Sequence, residues 1–406
     1  MPINFLGTVL TEGTKVIPYY NEIKTYGPPV ALLAGAKYYF GGKANTWERD
    51  LHGRVILITG GTSGVGAVVA SELARRGAQL ILLVRSITDS WTVNYISELR
   101  EKTNNPLIYG EKCDMADLHS IRVFATKWLD NSPPRRLDMV ICCAAIANPP
   151  GTQRRATEDG LEEHLQINYL GHYHLLTLLS PAIRVQPPDR DVRIVLTTCL
   201  TSLMADFDAK DLEFTKRGYP VSQPWRLIGA SKLALGLFGY EFQRLVNAYE
   251  RPDKAQPNIH VSIVDPGMMR SPSFKRFVSL GTLWGLLLYI VSWPIWWLFL
   301  KTSINGAESI LYCILSPHPT NSQEVTYITE CKIRPPPPRK EYQEKELQKY
   351  LYEVSQKLVI ETEKKSVIRQ KAEEAKVKDE KADQKLESKD KTKEKSTKRR
   401  SKISKK

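Results

Sequence analysis

The sequence predicts a doubly wound α/β domain, a parallel sheet covered on both faces, and three observations carry that prediction. Short, near-continuous apolar runs such as "RVILIT", "QLILLV" and "RIVLTT" recur from residue 54 onward, the pattern of strands buried on both sides. Helix-length segments of 3.6-residue periodicity, "AVVASELARRG" first among them, separate these runs, so strands and helices alternate. The first strand also runs directly into "GGTSGVG" and then a helix, a junction that opens such sheets.

In chain order, residues 1–51 form an N-terminal extension. Its apolar runs, such as "PVALLAGAKYYF", are too short to span a bilayer. The extension is expected to pack on the domain, an interfacial helix being the alternative. Glu12, Lys15, Glu22 and Lys24 interrupt the apolar stretches and argue against a secretory signal. The domain itself is expected at 52–331, with further strands at "PLIYGEKC", "RLDMVICC", "HVSIV" and "QEVTYIT". "RPPPPRK" then breaks structure, so 332–406 reads as linker and tail. An amphipathic helix fits 341–360, with Leu347, Tyr350, Leu351, Val354 and Leu358 on one side. Beyond it the composition predicts disorder.

Charge and cysteines narrow the classes. The formal net charge is +14, but residues 339–406 alone hold 23 Lys+Arg against 14 Asp+Glu. The basic excess therefore belongs mostly to the tail, which could attract anionic lipid or a protein partner. Its acids alternate with its bases and no aromatics interleave beyond Tyr352, which argues against nucleic acid. Cys113, Cys142, Cys143, Cys199, Cys313 and Cys331 have neither disulfide-module nor zinc spacing, so a reducing compartment and no metal are expected.

Residues 277–300, "FVSLGTLWGLLLYIVSWPIWWLFL", run 24 residues without a charge between Lys275–Arg276 and Lys301. A simple crossing would strand the following helix and strand on the wrong side of the membrane. Pro294 and the tryptophans at 284, 293, 296 and 297 suit a bent interfacial or re-entrant hairpin on the cytosolic face. The endoplasmic reticulum is the expected membrane, lipid droplets and mitochondria the alternatives. A buried pair of lid helices is the competing reading of the same run.

Thr59, Gly60, Gly64 and Gly66 make T-G-x-x-x-G-x-G between a strand and a helix, with Thr62, Ser63 and Val65 inside the turn. Such glycines let backbone approach a pyrophosphate, whose charge the helix N-terminus favours. At the end of the second strand Arg85 stands where an acid would grip a ribose 2′-hydroxyl. An arginine there favours a 2′-phosphate, hence NADP(H).

Together with the following motifs, residues 52–331 resemble the short-chain dehydrogenase/reductase family, nearest its retinol dehydrogenase-like branch, and share the layout of a fungal membrane-associated subgroup. "CDMADL" resembles the adenine-side motif and places Asp114 and Met115 there; "DGLEEHLQINYLGHYHLL" resembles the central helix, whose asparagine is Asn168. "VDPGMMRS" resembles the nicotinamide-side turn, with Pro266, Gly267 and Ser271, and "FLKTSINGAESILYCILSP" the late helix. The resemblance implies a Rossmann-type fold and hydride transfer between nicotinamide and a carbonyl or alcohol. It also implies a tyrosine acid/base, a lysine that tunes it and binds ribose, a serine on the substrate oxygen, and an asparagine water relay.

Here Lys232 and Asn168 are present, but "RLIGASK" puts Ile228 at the tyrosine position. An aliphatic chain neither donates nor accepts a proton. "RIVLTTCLTS" puts Cys199 at the serine position, with Thr198, Thr201 and Ser202 as neighbouring hydroxyls. Cys142-Cys143-Ala144-Ala145 stands in place of the family's Asn-Asn-Ala-Gly. Tyr219 could swing in; the Tyr20–Lys24 and Tyr39–Lys43 pairs precede the domain. Two readings remain open. One is a membrane-attached NADP(H)-dependent oxidoreductase of a lipophilic carbonyl or alcohol with impaired chemistry; the other is a non-catalytic nucleotide-binding scaffold or sensor in a membrane complex.

Overall fold

The computed structural model describes residues 19–368. The expected disordered end of the tail, and Glu12 and Lys15 in the extension, lie outside the described residues. Eight strands form one sheet in the order β3-β2-β1-β4-β5-β6-β7-β8. These are β1 (Val55–Thr59), β2 (Gln79–Val84), β3 (Ile108–Lys112), β4 (Met139–Cys142), β5 (Val192–Thr197), β6 (Ile259–Asp265), β7 (Thr326–Thr329) and β8 (Lys332–Arg334). All neighbours pair in parallel except β7 and β8. The winding reverses between β1 and β4, which opens a crevice beyond their carboxyl ends.

Alternation along the strands builds two cores. Val55 and Leu57 of β1 join one cluster, Ile56 and Ile58 the other. The extension contributes α1 (Tyr20–Phe40). The second face of the sheet is covered by α2 (Gly64–Arg75) and α3 (Ser90–Thr103), through residues such as Leu73 and Leu99. The first face carries α4 (Leu118–Leu129) and a long rod α5, in which Glu163–Leu165 passes through a π-turn, Gln166–Leu170, into Gly171–Arg184. Next to it lies α6 (Pro224–Asn247), whose Leu233, Leu237 and Phe238 are fully buried.

The charge-free run is not one helix. It divides among α7 (Pro272–Val278), α8 (Leu283–Val291) and α9 (Trp293–Phe299), before α10 (Ser303–Leu315) returns to the second face. Helices α7 and α8 meet at 108°, and no described helix is long and apolar enough to cross a membrane. The bend falls at 279–282, where Leu280 and Gly281 both take positive φ. Pro294 instead stands in the first turn of α9, where its missing N–H costs nothing.

Two expectations need revision. Helix α1 does not pack on the domain along its length: none of its residues is buried. It is held at its end, where Phe40 meets Phe299 at 5.0 Å between ring centroids and Gly41 accepts from Asn305 at 2.7 Å. The folded unit also continues past Cys331. Strand β8 pairs with β7, and α11 (345–368) lies on the first-face core, burying Leu351 and Val359. The buried stripe of α11 is Gln348, Leu351, Ser355, Val359, Thr362 and Ser366, while Tyr350 is exposed. Tyr169 and Ser355 share a hydrogen bond of 2.7 Å, and Glu363 is paired with Arg122 and His174. Small polar residues at the contact hid this face from a search for apolar periodicity.

Candidate functional site

The glycine turn is built as its sequence requires. Gly60 has φ +66°, and a Cβ there would lie 2.8 Å from the Ala144 backbone. A Cβ on Gly66 would lie 2.3 Å from the Gly60 carbonyl oxygen, so the start of α2 can pass β1 only without a side chain. Gly64 differs. It has φ +58° with nothing within 4 Å of an added Cβ. Packing explains Gly60 and Gly66, whereas Gly64 faces open space. Ser63, the N-cap of α2, makes no side-chain cap. The N–H groups of the first turn therefore suit an anion, and with the open side at Gly64 these residues fit a dinucleotide pyrophosphate. Thr62 and Val65 are half-buried in the turn. Tyr95 of α3, which sequence reasoning missed, donates to the Gly61 carbonyl at 2.9 Å and steadies it.

Thr59 ties this turn to the neighbouring strand. Its hydroxyl oxygen accepts from the N–H of Cys143 (3.0 Å) and Ala144 (3.1 Å) and lies 2.9 Å from His172 Nε2. With both lone pairs engaged, the hydroxyl proton goes to Nε2, which fixes His172 as the Nδ1–H tautomer facing the Asn168 carbonyl at 3.3 Å. Burial, and next the nearby Lys232 charge, push His172 down to about 3. Arg85 is exposed immediately beyond β2. Asp114 caps the N–H of Ala116 at 2.9 Å, and Met115 is buried against α5.

The residues for which the resemblance implies catalysis are held by internal bonds. Asn168 sits in the π-turn of α5, where its Oδ1 accepts from Ile146 N–H at 2.7 Å and its Nδ2 donates to Ser231 Oγ at 3.1 Å. Ser231 Oγ in turn donates to the Ile228 carbonyl at 2.9 Å. Ser231 is a second residue the sequence reading missed; nothing but its place beside Lys232 marks it. Lys232 is buried and donates to the Thr197 carbonyl at 2.9 Å. Its pKa is lowered by loss of water, which the thiols of Cys199, Cys143 and Cys142 only partly oppose.

Ile228 is also buried, one turn before Lys232. Cys199 lies 2.8 Å from Thr201 Oγ1, and burial raises its pKa. Cys142 is fully buried, and burial pushes Cys143 up to about 12. The hydroxyl of Thr198 is buried without a hydrogen-bond partner among the described residues, and Ser202 is buried in the 3₁₀ turn Leu200–Met204. Tyr219 donates to Glu162 at 3.0 Å, and burial together with that carboxylate raises its pKa. Its hydroxyl is engaged by that carboxylate, while its ring packs against the cluster of Phe214, Leu227 and Ala230 that flanks position 228. Both Tyr-x-x-x-Lys pairs of the extension begin in α1, and Tyr39 is exposed.

Pro266 is buried after β6, and Gly267 turns with φ +77°, its N–H donating to Asp265 at 2.8 Å. Ser271 caps α7 through Phe274 N–H at 3.1 Å. The C-terminal segment completes this end of the site. Arg339 donates to the carbonyls of Ala205 (2.9 Å), Leu203 (3.1 Å) and Ser202 (3.3 Å), pinning the loop after β5. A proline-rich stretch gave no sequence signal for that contact.

Comparison with known proteins agrees with this architecture. A family model described as short chain dehydrogenase matches residues 54–207. The chain is 44% identical over 304 residues to the uncharacterized oxidoreductase pbr1 of Schizosaccharomyces pombe, covering 75% of this chain and 81% of that protein. It is 42% identical over 394 residues to the uncharacterized oxidoreductase YNL181W of Saccharomyces cerevisiae, covering 92% and 95%. It is 32% identical over 265 residues to human polyprenol dehydrogenase, covering 65% and 73%.

Proposed function

The chain belongs to the short-chain dehydrogenase family, and from that premise we propose that it is a membrane-attached, NADP(H)-binding oxidoreductase of a lipophilic alcohol or carbonyl whose proton relay is impaired. The observation that carries this reading is the contrast at the crevice. The glycine turn keeps an open, uncapped anion site, while Ile228 presents a buried aliphatic chain one turn before Lys232. NADPH supplies a hydride when bound. Gly64 and the first turn of α2 would hold its pyrophosphate, Arg85 its 2′-phosphate, and Lys232 its ribose. Asp114, Met115, Pro266, Gly267 and Ser271 would frame the adenine and nicotinamide ends. Likeness to a dehydrogenase named for polyprenol supports a long apolar alcohol as the substrate class. The exposed apolar surface of α8 and α9 supports attachment to the cytosolic face of a membrane, the endoplasmic reticulum in first place.

A second reading has its own observation. Asn168 bonds to the Ile146 backbone and to Ser231, and Lys232 donates to the Thr197 carbonyl. Their retention is therefore compatible with a nucleotide-binding scaffold that performs no turnover. Calorimetric titration with NADPH and NADH tests the cofactor assignment common to both readings. NADPH is expected to bind at least about tenfold more tightly, as a lost charge-assisted contact implies, and Arg85→Ala to abolish the difference. Equal affinities in both proteins would remove NADP(H) from the account.

A further inference from the structure

We infer that α1 and the α8–α9 hairpin form one composite lipid-docking surface, with α1 lying along the bilayer plane beside the hairpin. This rests on the membrane attachment proposed above and extends it to a helix that the apolar run does not include. The two elements are joined. Lys37 of α1 donates to the Trp297 carbonyl and sits 4.9 Å from that ring, and Phe40 packs edge-on against Phe299. Their apolar side chains are left in the open, Leu32 being 75% and Trp284 82% exposed.

The makeup of α1 argues that it needs a partner. It has 21 residues, includes Pro28 and Pro29, and buries none of its side chains. Proline costs a helix interior about 3 kcal/mol, and isolated helices of this length are marginal in water. An apolar–aqueous boundary stabilises such a helix, because burying its side chains adds to its backbone hydrogen bonding.

Charge and aromatics identify that boundary as an anionic bilayer. Residues 267–300 contain no acid, and Glu22 is the only acid in α1. Lys24, Lys275 and Arg276 are exposed around the surface, matching anionic headgroups. Tyr38, Tyr39 and Trp297 are exposed where the two elements meet, the residue types that sit at headgroup depth. The surface is also anchored to the nicotinamide-side turn. Lys301, paired with Glu330, lies between Gly42 and Gly267, so that a Cβ at either glycine would come within 3.0 Å of its side chain.

The test uses full-length protein carrying the environment-sensitive dye NBD at Leu32→Cys or at Leu287→Cys, with the unsubstituted protein taken through the same labelling as the blank. Vesicles are phosphatidylcholine alone or with 30% phosphatidylserine, a composition on the order of a cytosolic leaflet. Both probes are expected to shift to the blue and brighten, more strongly with phosphatidylserine. Leu32→Glu, at an exposed site, is expected to weaken vesicle partitioning by about tenfold or more, the worth of one leucine burial. A response at 287 without one at 32 would overturn the composite surface and leave hairpin attachment standing. Silence of both probes would overturn the membrane reading itself. A probe at 32 already blue-shifted without vesicles, in protein that light scattering finds dimeric, would assign the surface to a second copy of the chain and overturn the lipid assignment.

Discussion

The two ends of the crevice answer differently to the same family pattern. At the turn after β1, each glycine has a stated physical demand: contact distance at Gly60 and Gly66, open space at Gly64. At the end of β5 and the start of α6, the surviving polar residues are held by the protein's own backbone, Lys232 by Thr197 and Asn168 by Ile146. Polar contacts and packing demands are thus separable here. Lys232 has a backbone contact of its own, whereas Gly64 answers to its φ of +58° and to no neighbouring atom.

The largest expected effect lies at the turn. Gly66→Ala drives a methyl into the Gly60 carbonyl, 2.3 Å away, and should cost about 3 kcal/mol or more along with nucleotide binding. Gly64→Ala meets no atom and should cost only about 1 kcal/mol of backbone strain, while weakening NADPH. If Gly64→Ala bound NADPH normally, the open side of the turn would not be the phosphate site. Chemical denaturation paired with titration separates the two variants.

A second effect comes from His172. Its folded pKa is depressed to about 3 from an ordinary 6.5, so the unfolded chain binds the extra proton first. Stability is therefore full above pH 6.5 and falls toward pH 3, by up to about 1.4 kcal/mol per pH unit. His172→Asn should start less stable at neutral pH, having lost the fixed contact to Thr59, and should show a shallower acid slope than the parent. Parallel slopes would mean that the fold does not depress the His172 pKa.

Smaller effects test the catalytic end. Lys232 is buried with its pKa lowered from 10.5 by loss of water, so its charge is a net cost at neutral pH. Lys232→Met is expected to raise Tm by about 2–4 °C, a gain that shrinks as pH rises toward 10.5, while NADPH affinity falls. A large loss of stability would show the Thr197 contact to be worth more than the burial cost. Arg339→Ala should release the loop at 200–205, seen as faster amide exchange there, at a cost of about 1–3 kcal/mol. Arg339→Lys, with one point charge in place of a fork of donors, should restore it only in part.

The strands of the parallel sheet and the glycine turn were legible because they depend on short apolar runs and on residues with a single conformational use. Ile228 is read directly from the sequence, four residues before Lys232. The role of α11 was not legible, since Ser355, Thr362 and Ser366 bury without apolar periodicity. Arg339 was hidden for another reason: its partners are backbone carbonyls more than 130 residues away in sequence. The open position of α1 also escaped prediction, because an apolar helix reads the same whether protein or lipid covers it.

The central claim is that this chain holds the nucleotide but lacks the proton relay, and hydride transfer itself is the direct test. The measurement is single-turnover transfer of deuterium from labelled NADPH to a panel of long-chain lipid carbonyls, in the unaltered chain and in Ile228→Tyr. The new phenol would stand four residues before Lys232 on the same face of α6. The account predicts transfer at background level in the unaltered chain and faster transfer in Ile228→Tyr, within the ~10²–10⁴ that acid–base help is worth. Rapid transfer by the unaltered chain, no faster with the tyrosine restored, would contradict it and assign the proton to another group, with Thr198 the first to replace.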